Sequence, residues 1–307
     1  MAFPGKVRIV EVSPRDGLQD HPIPERPLET KIEFINQLSK TGLTHIEVAS
    51  FVSPGSVPGM SDSADVFSGI ERIPGVTYSA LIPNLKGLYR AIDAGVDEVV
   101  IFGAASESFA LKNINCTISE SYDRFRQVVD EAKIKNIPVR GDIATVLVCP
   151  YEGNISPEKV AEVAKTFFEI GCYEICLADT LGAGTPLQAK RMIEAVAEFV
   201  PIEKLAVHFH DTYGQALANI YAVLEEGVAV IDSSVGGLGG CPYAKSAGGN
   251  VATEDVLFML HGMGIETGVD LNKIIKVGNF ICENLGVKNA SKAALGLLGS
   301  DTSCDLQ

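Results

Sequence analysis

Hydrophobic positions along this chain follow two alternating rhythms. Short apolar runs occur at 7–12, 45–50, 77–82, 98–103, 139–148, 174–179, 205–210 and 228–235. Their length and β-branched content predict strands. Between them apolar residues recur every three or four positions, as in EFINQLSKTG, SYDRFRQVVDEAKIKN and TPLQAKRMIEAVAEFV. That period predicts amphipathic helices. Ser156-Pro157 and Thr185-Pro186 mark two helix starts, each an N-cap residue followed by proline at the first helical position. Helix ends repeat too. In TGLTHIEV, AGVDEVVI, IGCYEICL and EGVAVIDS a glycine (Gly42, Gly95, Gly171, Gly227) closes a helix just before the next strand.

Eight such β-α units predict an α/β protein of the (β/α)8 TIM-barrel class, with its active site at the C-terminal ends of the strands. An open doubly wound sheet is the second reading, and no GxGxxG follows an early strand to support it. The expected organisation is one barrel over 1–290, with a helical elaboration from about 253, and a tail over 291–307.

Composition narrows the function mainly by exclusion. The chain has 307 residues, 46% hydrophobic and 21% charged, enough for a large core. No apolar run is long enough for a membrane-spanning helix. The strand-like run from residue 7 leaves no room for a signal peptide. A formal charge of −14 argues against a nucleic-acid partner, which needs a basic face. Cysteines at 116, 149, 172, 176, 241, 282 and 304 form no CxxC pair and read as reduced thiols of a cytoplasmic protein.

Polar residues at the expected strand ends supply the candidate chemistry. Arg15 and Asp16 follow the first strand, Glu47 interrupts the second, Asp179 ends the sixth, and His208 and His210 lie in the seventh. Residues two apart on a strand share a face, so both imidazoles point to the barrel axis while Val207 and Phe209 point to the helices. With Asp16 they make half of a metal cage. If Asn250 adds an amide oxygen, the mixed N and O set favours Mg2+ or Mn2+, with Zn2+ less favoured. Arg15 is the natural partner for Glu47, since an unpaired buried carboxylate is costly. Asp179 reads equally as a direct participant or as support. The glycine-rich stretch 236–249 reads as a lid, and Cys241 on it as a reactive thiol. Lys86, Lys112, Lys245 and Lys288 are candidates for phosphate contacts, each with an ordinary solvated reading beside it.

The blocks SPRDGLQ, NINC, CPYEG, HDTYGQALAN and GGLGGCPYA…GNVATED resemble the hydroxymethylglutaryl-CoA lyase family, over about residues 6 to 290. The resemblance implies a retro-Claisen cleavage of a 3-hydroxy-3-methylglutaryl thioester to acetyl-CoA and acetoacetate. It implies that Asp16, His208, His210 and Asn250 hold the divalent cation, that Arg15 stabilises the enolate, and that Cys241 serves on the active-site loop. Glu47 and Asp179 match further active-site acids. Cys241, a metal-bound water or a histidine such as His208 would return the proton to the enolate carbon. The expected partner is a small acyl-CoA substrate, with a homodimer implied by the family. Rim segments depart from the family's usual sequence: SFVSPGSVPGM stands where SFVSPKWVPQM is common, and LADTLG where LGDTIG is common. These departures keep a sister 3-hydroxyacyl-CoA substrate open, while a condensing synthase and a 2-oxo acid aldolase with the same metal site are the rival readings.

Overall fold

A computed structural model describes residues 3–19, 27–53, 57–240 and 249–298, with 21, 23, 25 and 55 between them. The strands are β1 (Arg8–Glu11), β2 (His45–Ser50), β3 (Thr77–Leu81), β4 (Glu98–Ala104), β5 (Val139–Ala144), β6 (Glu174–Asp179), β7 (Leu205–Phe209) and β8 (Val230–Ser233). Each pairs in parallel with the next. β8 returns to β1 in the register Arg8↔Val230 to Glu11↔Ser233, which closes the barrel. The expected barrel is therefore the observed one.

Helices α1 (Pro27–Leu38), α2 (Ser63–Gly69), α3 (Leu85–Asp93), α4 (Glu107–Asn113), α5 (Ile118–Ile134), α6 (Pro157–Ile170), α7 (Pro186–Ala197) and α8 (Ala216–Glu225) connect the strands. The Ser156 hydroxyl accepts from the Lys159 amide at the start of α6, as its sequence predicts. The four cap glycines have φ between +80° (Gly95) and +119° (Gly171). At Gly42 a Cβ would also fall 2.1 Å from the Gly268 carbonyl oxygen, so glycine is required there twice over.

Two expectations are corrected. The fifth apolar run is not one strand to 148. It stops at Ala144 because buried Thr145 turns into the left-handed region at φ +56°, a costly conformation for a β-branched residue. Beyond it Val148–Cys149 pairs antiparallel with Gly153–Asn154 as a small hairpin. The second concerns the tail. After α9 (Thr253–Gly262) and α10 (Leu271–Leu285), residues Lys292–Leu298 form α11. Asp255 binds the start of that helix, accepting from the Ser291 hydroxyl and the Ala293 amide, both at 2.7 Å. Residues 299–307 lie outside the described residues.

Val207 and Phe209 join the main apolar core between sheet and helices, as the strand alternation requires. Inside the barrel the filling is only partly apolar, with a small cluster of Val10, Val12, Cys176, Ala206 and Val230. The rest is an ion-pair chain. Arg140 binds Asp232 through both terminal nitrogens, at 2.7 and 3.0 Å, and Glu174 through Nε at 3.1 Å. Arg8 pairs with the other oxygen of Glu174.

Candidate active site

β1 runs straight into one turn of π-helix, Ser13–Gly17. All five residues are buried, and such a turn is a common functional-site device. It presents Arg15 and Asp16 to the top of the barrel. Arg15 Nη1 donates to Asp16 Oδ1 at 2.5 Å, and Nη2 pairs with Glu47 Oε2 at 2.8 Å. The expected Arg15–Glu47 pair is present, with the guanidinium clamped between two carboxylates. Gln19 also donates to Asp16 Oδ1, at 3.1 Å. Burial acts to raise the Asp16 pKa, but Arg15, His208 and His210 outweigh it and hold the carboxyl below its ordinary value.

His208 and His210 face the same centre. The Nε2 atom of each lies 3.9 Å from Asp16 Oδ2, and one donor atom from each of the three residues lies within 4.8 Å of the others. A small divalent cation bonding at about 2.1 Å needs donors roughly 3–4 Å apart, so this set fits one. Asn250 arrives by a separate route. Residues 249–252 run antiparallel to the end of β7, with His210↔Asn250 bridged and the Val251 amide bonded to the Phe209 carbonyl. The Asn250 amide nitrogen donates to Asp16 Oδ2 at 2.7 Å and to the Leu238 carbonyl at 3.1 Å. Asn250 thus lies beside the other three proposed ligands, with its amide nitrogen rather than the oxygen a cation needs turned to Asp16.

Asp232 was missed in the sequence. Its Oδ2 lies 3.3 Å from His208 Nδ1, leaving Nε2 turned to Asp16, the arrangement that orients a metal-binding imidazole. Burial disfavours the His208 imidazolium, but the Asp232 hydrogen bond and the Asp16 charge outweigh it and the net shift is upward. Burial likewise pushes Asp232 up, yet the Arg140 guanidinium holds it well below the carboxylate range. The signal was available, because Asp232 is a charge inside an apolar strand, the same anomaly that singled out Glu47. Asp142, Cys176 and Asp232 also converge, but the cation beside them is Arg140.

Asp179 is fully buried and turned away from the cavity. Its Oδ2 accepts from the Gly184 amide at 2.8 Å. Burial pushes its carboxyl up to about 6 against those loop amides. Its neighbour Thr180 lines the cavity. Cys241 and Lys245 lie outside the described residues.

A cavity of about 580 Å³ is lined by Arg15, Asp16, His208 and His210 together with Phe102, Phe109, Asn113 and Arg124. Lys86, Lys112 and Lys288 are exposed and do not line it. Arg124 also lines the cavity, a residue the sequence analysis does not single out.

The comparisons with known proteins agree with this geometry. The HMGL-like family matches residues 6–281. The chain is 57% identical over 292 residues to "3-hydroxy-3-methylglutaryl-CoA lyase, cytoplasmic" of Rattus norvegicus, covering 95% of this chain and 85% of that one. It is 56% identical over 300 residues to "3-hydroxy-3-isohexenylglutaryl-CoA/hydroxy-methylglutaryl-CoA lyase" of Pseudomonas aeruginosa, covering 97% and 99%. A solved HMG-CoA lyase from Acinetobacter baumannii, in complex with coenzyme A and 3-methylmalate, superposes with a TM-score of 0.92 at 38% identity and covers 100% of this chain and 99% of its own. With matches over nearly its whole length and a cage of the kind its motifs imply, this chain belongs to the HMGL-like family.

Proposed function

We propose that the protein is a hydroxymethylglutaryl-CoA lyase that cleaves 3-hydroxy-3-methylglutaryl-CoA to acetyl-CoA and acetoacetate. The observation that carries this reading is the meeting of Asp16, His208 and His210 beside the clamped Arg15 in one cavity. The identity of the relatives over nearly the full chain supports it.

Asp16, His208, His210 and Asn250 would hold Mg2+ or Mn2+, in preference to Zn2+ where the Asn250 amide oxygen and waters complete an octahedral set; two imidazoles and a carboxylate alone would suit Zn2+. Bound there, the cation would supply a Lewis acid for the tertiary hydroxyl oxygen of the substrate. Arg15 faces the cavity, and its Nε–H has no partner among the described residues. A guanidinium already fixed by Asp16 and Glu47 can donate to the thioester oxygen as enolate charge develops there. Its stabilisation then costs no reorganisation at the moment of reaction. Glu47 acts through Arg15, and Asp179 through the 180–184 loop that brings Thr180 to the cavity. Cys241 is the first candidate to return the proton to the enolate carbon, with a histidine of the cage or a water on the cation as the other two. We further propose a cytoplasmic homodimer; among the described residues no helix is long and apolar enough to cross a membrane.

Purified protein incubated with Mg2+ or Mn2+ and hydroxymethylglutaryl-CoA should release acetoacetate. Absence of product would reject this substrate. Cys241→Ala should keep metal binding and lose most turnover. A sister substrate with a longer C3 chain is the second reading. It is favoured by the extent of the cavity beyond the cage and by the isohexenylglutaryl activity named for the Pseudomonas relative. Comparing kcat/KM for the two thioesters decides between them.

A further inference from the structure

Glu11 ends β1, is fully buried, and does not line the cavity. Its Oε1 accepts from two backbone amides, Ser13 at 3.1 Å and Val235 at 3.0 Å. Its Oε2 accepts from the Thr253 hydroxyl at 2.7 Å, and that hydroxyl lies 2.9 Å from Ser233 Oγ on β8. Each anchored residue stands just ahead of or behind a part of the site. Ser13 opens the π-turn that carries Arg15 and Asp16. Val235 opens the turn leading to Leu238, whose carbonyl receives the Asn250 amide. Thr253 follows Asn250 by three residues and starts α9.

A second carboxylate works on the same seam. Both oxygens of Glu254 accept from the Gly236 amide, at 3.0 and 2.9 Å. Backbone bonds run alongside, from the Ser234 amide to the Val251 carbonyl and from the Thr253 amide to the Ser234 carbonyl. Putting a carboxylate in such a place is costly, and burial pushes Glu11 up to about 7 against the three hydrogen bonds that favour its anion. An apolar residue would fill the space at less cost, but it would satisfy none of the three donors.

We propose that Glu11 is a positioning residue that sets the spacing of Asp16 and Asn250 by tying the π-turn, the 235–238 turn and the start of α9 to one carboxylate. Glu11 touches neither substrate nor ligands and acts only through the segments that carry them. The proposal rests on the reading given under Proposed function for its catalytic consequence alone.

The test compares wild type with Glu11→Gln, which keeps the volume but turns an N–H toward Thr253, and with Thr253→Val, which removes one tie at constant shape. Mn2+ affinity is measured without substrate. Histidine imidazoles are followed by nitrogen-15 labelling in the metal-free protein. Both variants should keep the wild-type circular dichroism at the assay temperature. Mn2+ binding should weaken about tenfold in Glu11→Gln and a few-fold in Thr253→Val. The His210 resonances should move while those of His45 and His261 stay. If Glu11→Gln does not fold, Thr253→Val decides. Wild-type Mn2+ affinity together with an unmoved His210 in the folded variants overturns the proposal. Wild-type protein that binds Mn2+ but cleaves no hydroxymethylglutaryl-CoA would reject the substrate and leave this result standing. If wild type binds no Mn2+, the imidazole spectra decide.

Discussion

At the residue scale the tightest coupling in the site runs through Asp232. It carries the Arg140 pair on one side and the His208 imidazole on the other, with almost no exposed surface. Asp232→Asn would leave Arg140 buried without its bidentate carboxylate. Breaking one partner of such a pair costs about 3–5 kcal/mol, so denaturant melts should show a loss of that size. Divalent affinity should fall roughly 10–100-fold as His208 loses its orienting carboxylate; an unchanged metal titration would remove Asp232 from the support of the cage. Arg15 gives a second prediction. Lysine cannot reproduce a fork held between Asp16 and Glu47. Arg15→Lys should lower kcat by roughly 10²–10³, the scale of a lost oxyanion donor, with a smaller change in KM. Steady-state kinetics on both variants check this.

Single residues also show what the sequence could and could not reveal. His208, His210, Asp16 and Glu47 were legible because each is a polar residue in a strand or turn whose periodicity already fixes its direction. Arg140 and Asp232 were not read as a pair. They are 92 positions apart, and only barrel closure brings β5 and β8 within reach across the axis. Asp179 was legible as a candidate but not in its direction, since the turn of the 180–184 loop onto its Oδ2 is a tertiary fact.

At the scale of elements, the strands were predicted well because each apolar run is bounded by a helix-capping glycine or a turn. Errors came where local pattern met a long-range constraint. Thr145 ends β5 inside a run that the sequence continues to Val148, and Asp255 and Ser291 meet across the α9–α11 contact to hold α11. The seam between β1, β8 and α9 carries a pH prediction. Burial pushes Glu254 up to about 8 and Glu11 to about 7, from an ordinary 4.5. The folded protein therefore holds protons in this window that the unfolded chain has released. Their contribution is full below about pH 4.5 and is lost as pH rises through 7 and 8. Thermal midpoints should fall between pH 5.5 and 8.5. Glu254→Gln should flatten that slope, by at most about 1.4 kcal/mol per pH unit. An identical slope in the variant would assign the effect elsewhere.

At the scale of the whole molecule, a cation that binds only the folded barrel must stabilise all of it. At a free concentration of 100 times Kd the gain is about 2.7 kcal/mol. Mn2+ should therefore raise the melting temperature of the wild type and not that of His210→Ala, and a chelator should reverse the shift. Equal shifts in both proteins would place the ion somewhere other than the cage. The net charge of −14 acts at this scale too, since it opposes the approach of a polyanionic thioester at long range. Raising the ionic strength should screen that repulsion and lower KM.

The cavity is lined by different parts of the barrel. Asp16, His208 and His210 come from segments at the ends of β1 and β7, whereas Val52, Leu81, Phe102 and Arg124 come from segments after β2, in β3, in β4 and in α5. Substitutions in one sector need not disturb the other. A lineage with this scaffold is free to exchange which acyl chain it accepts, one rim loop at a time, while inheriting its bond-breaking apparatus intact.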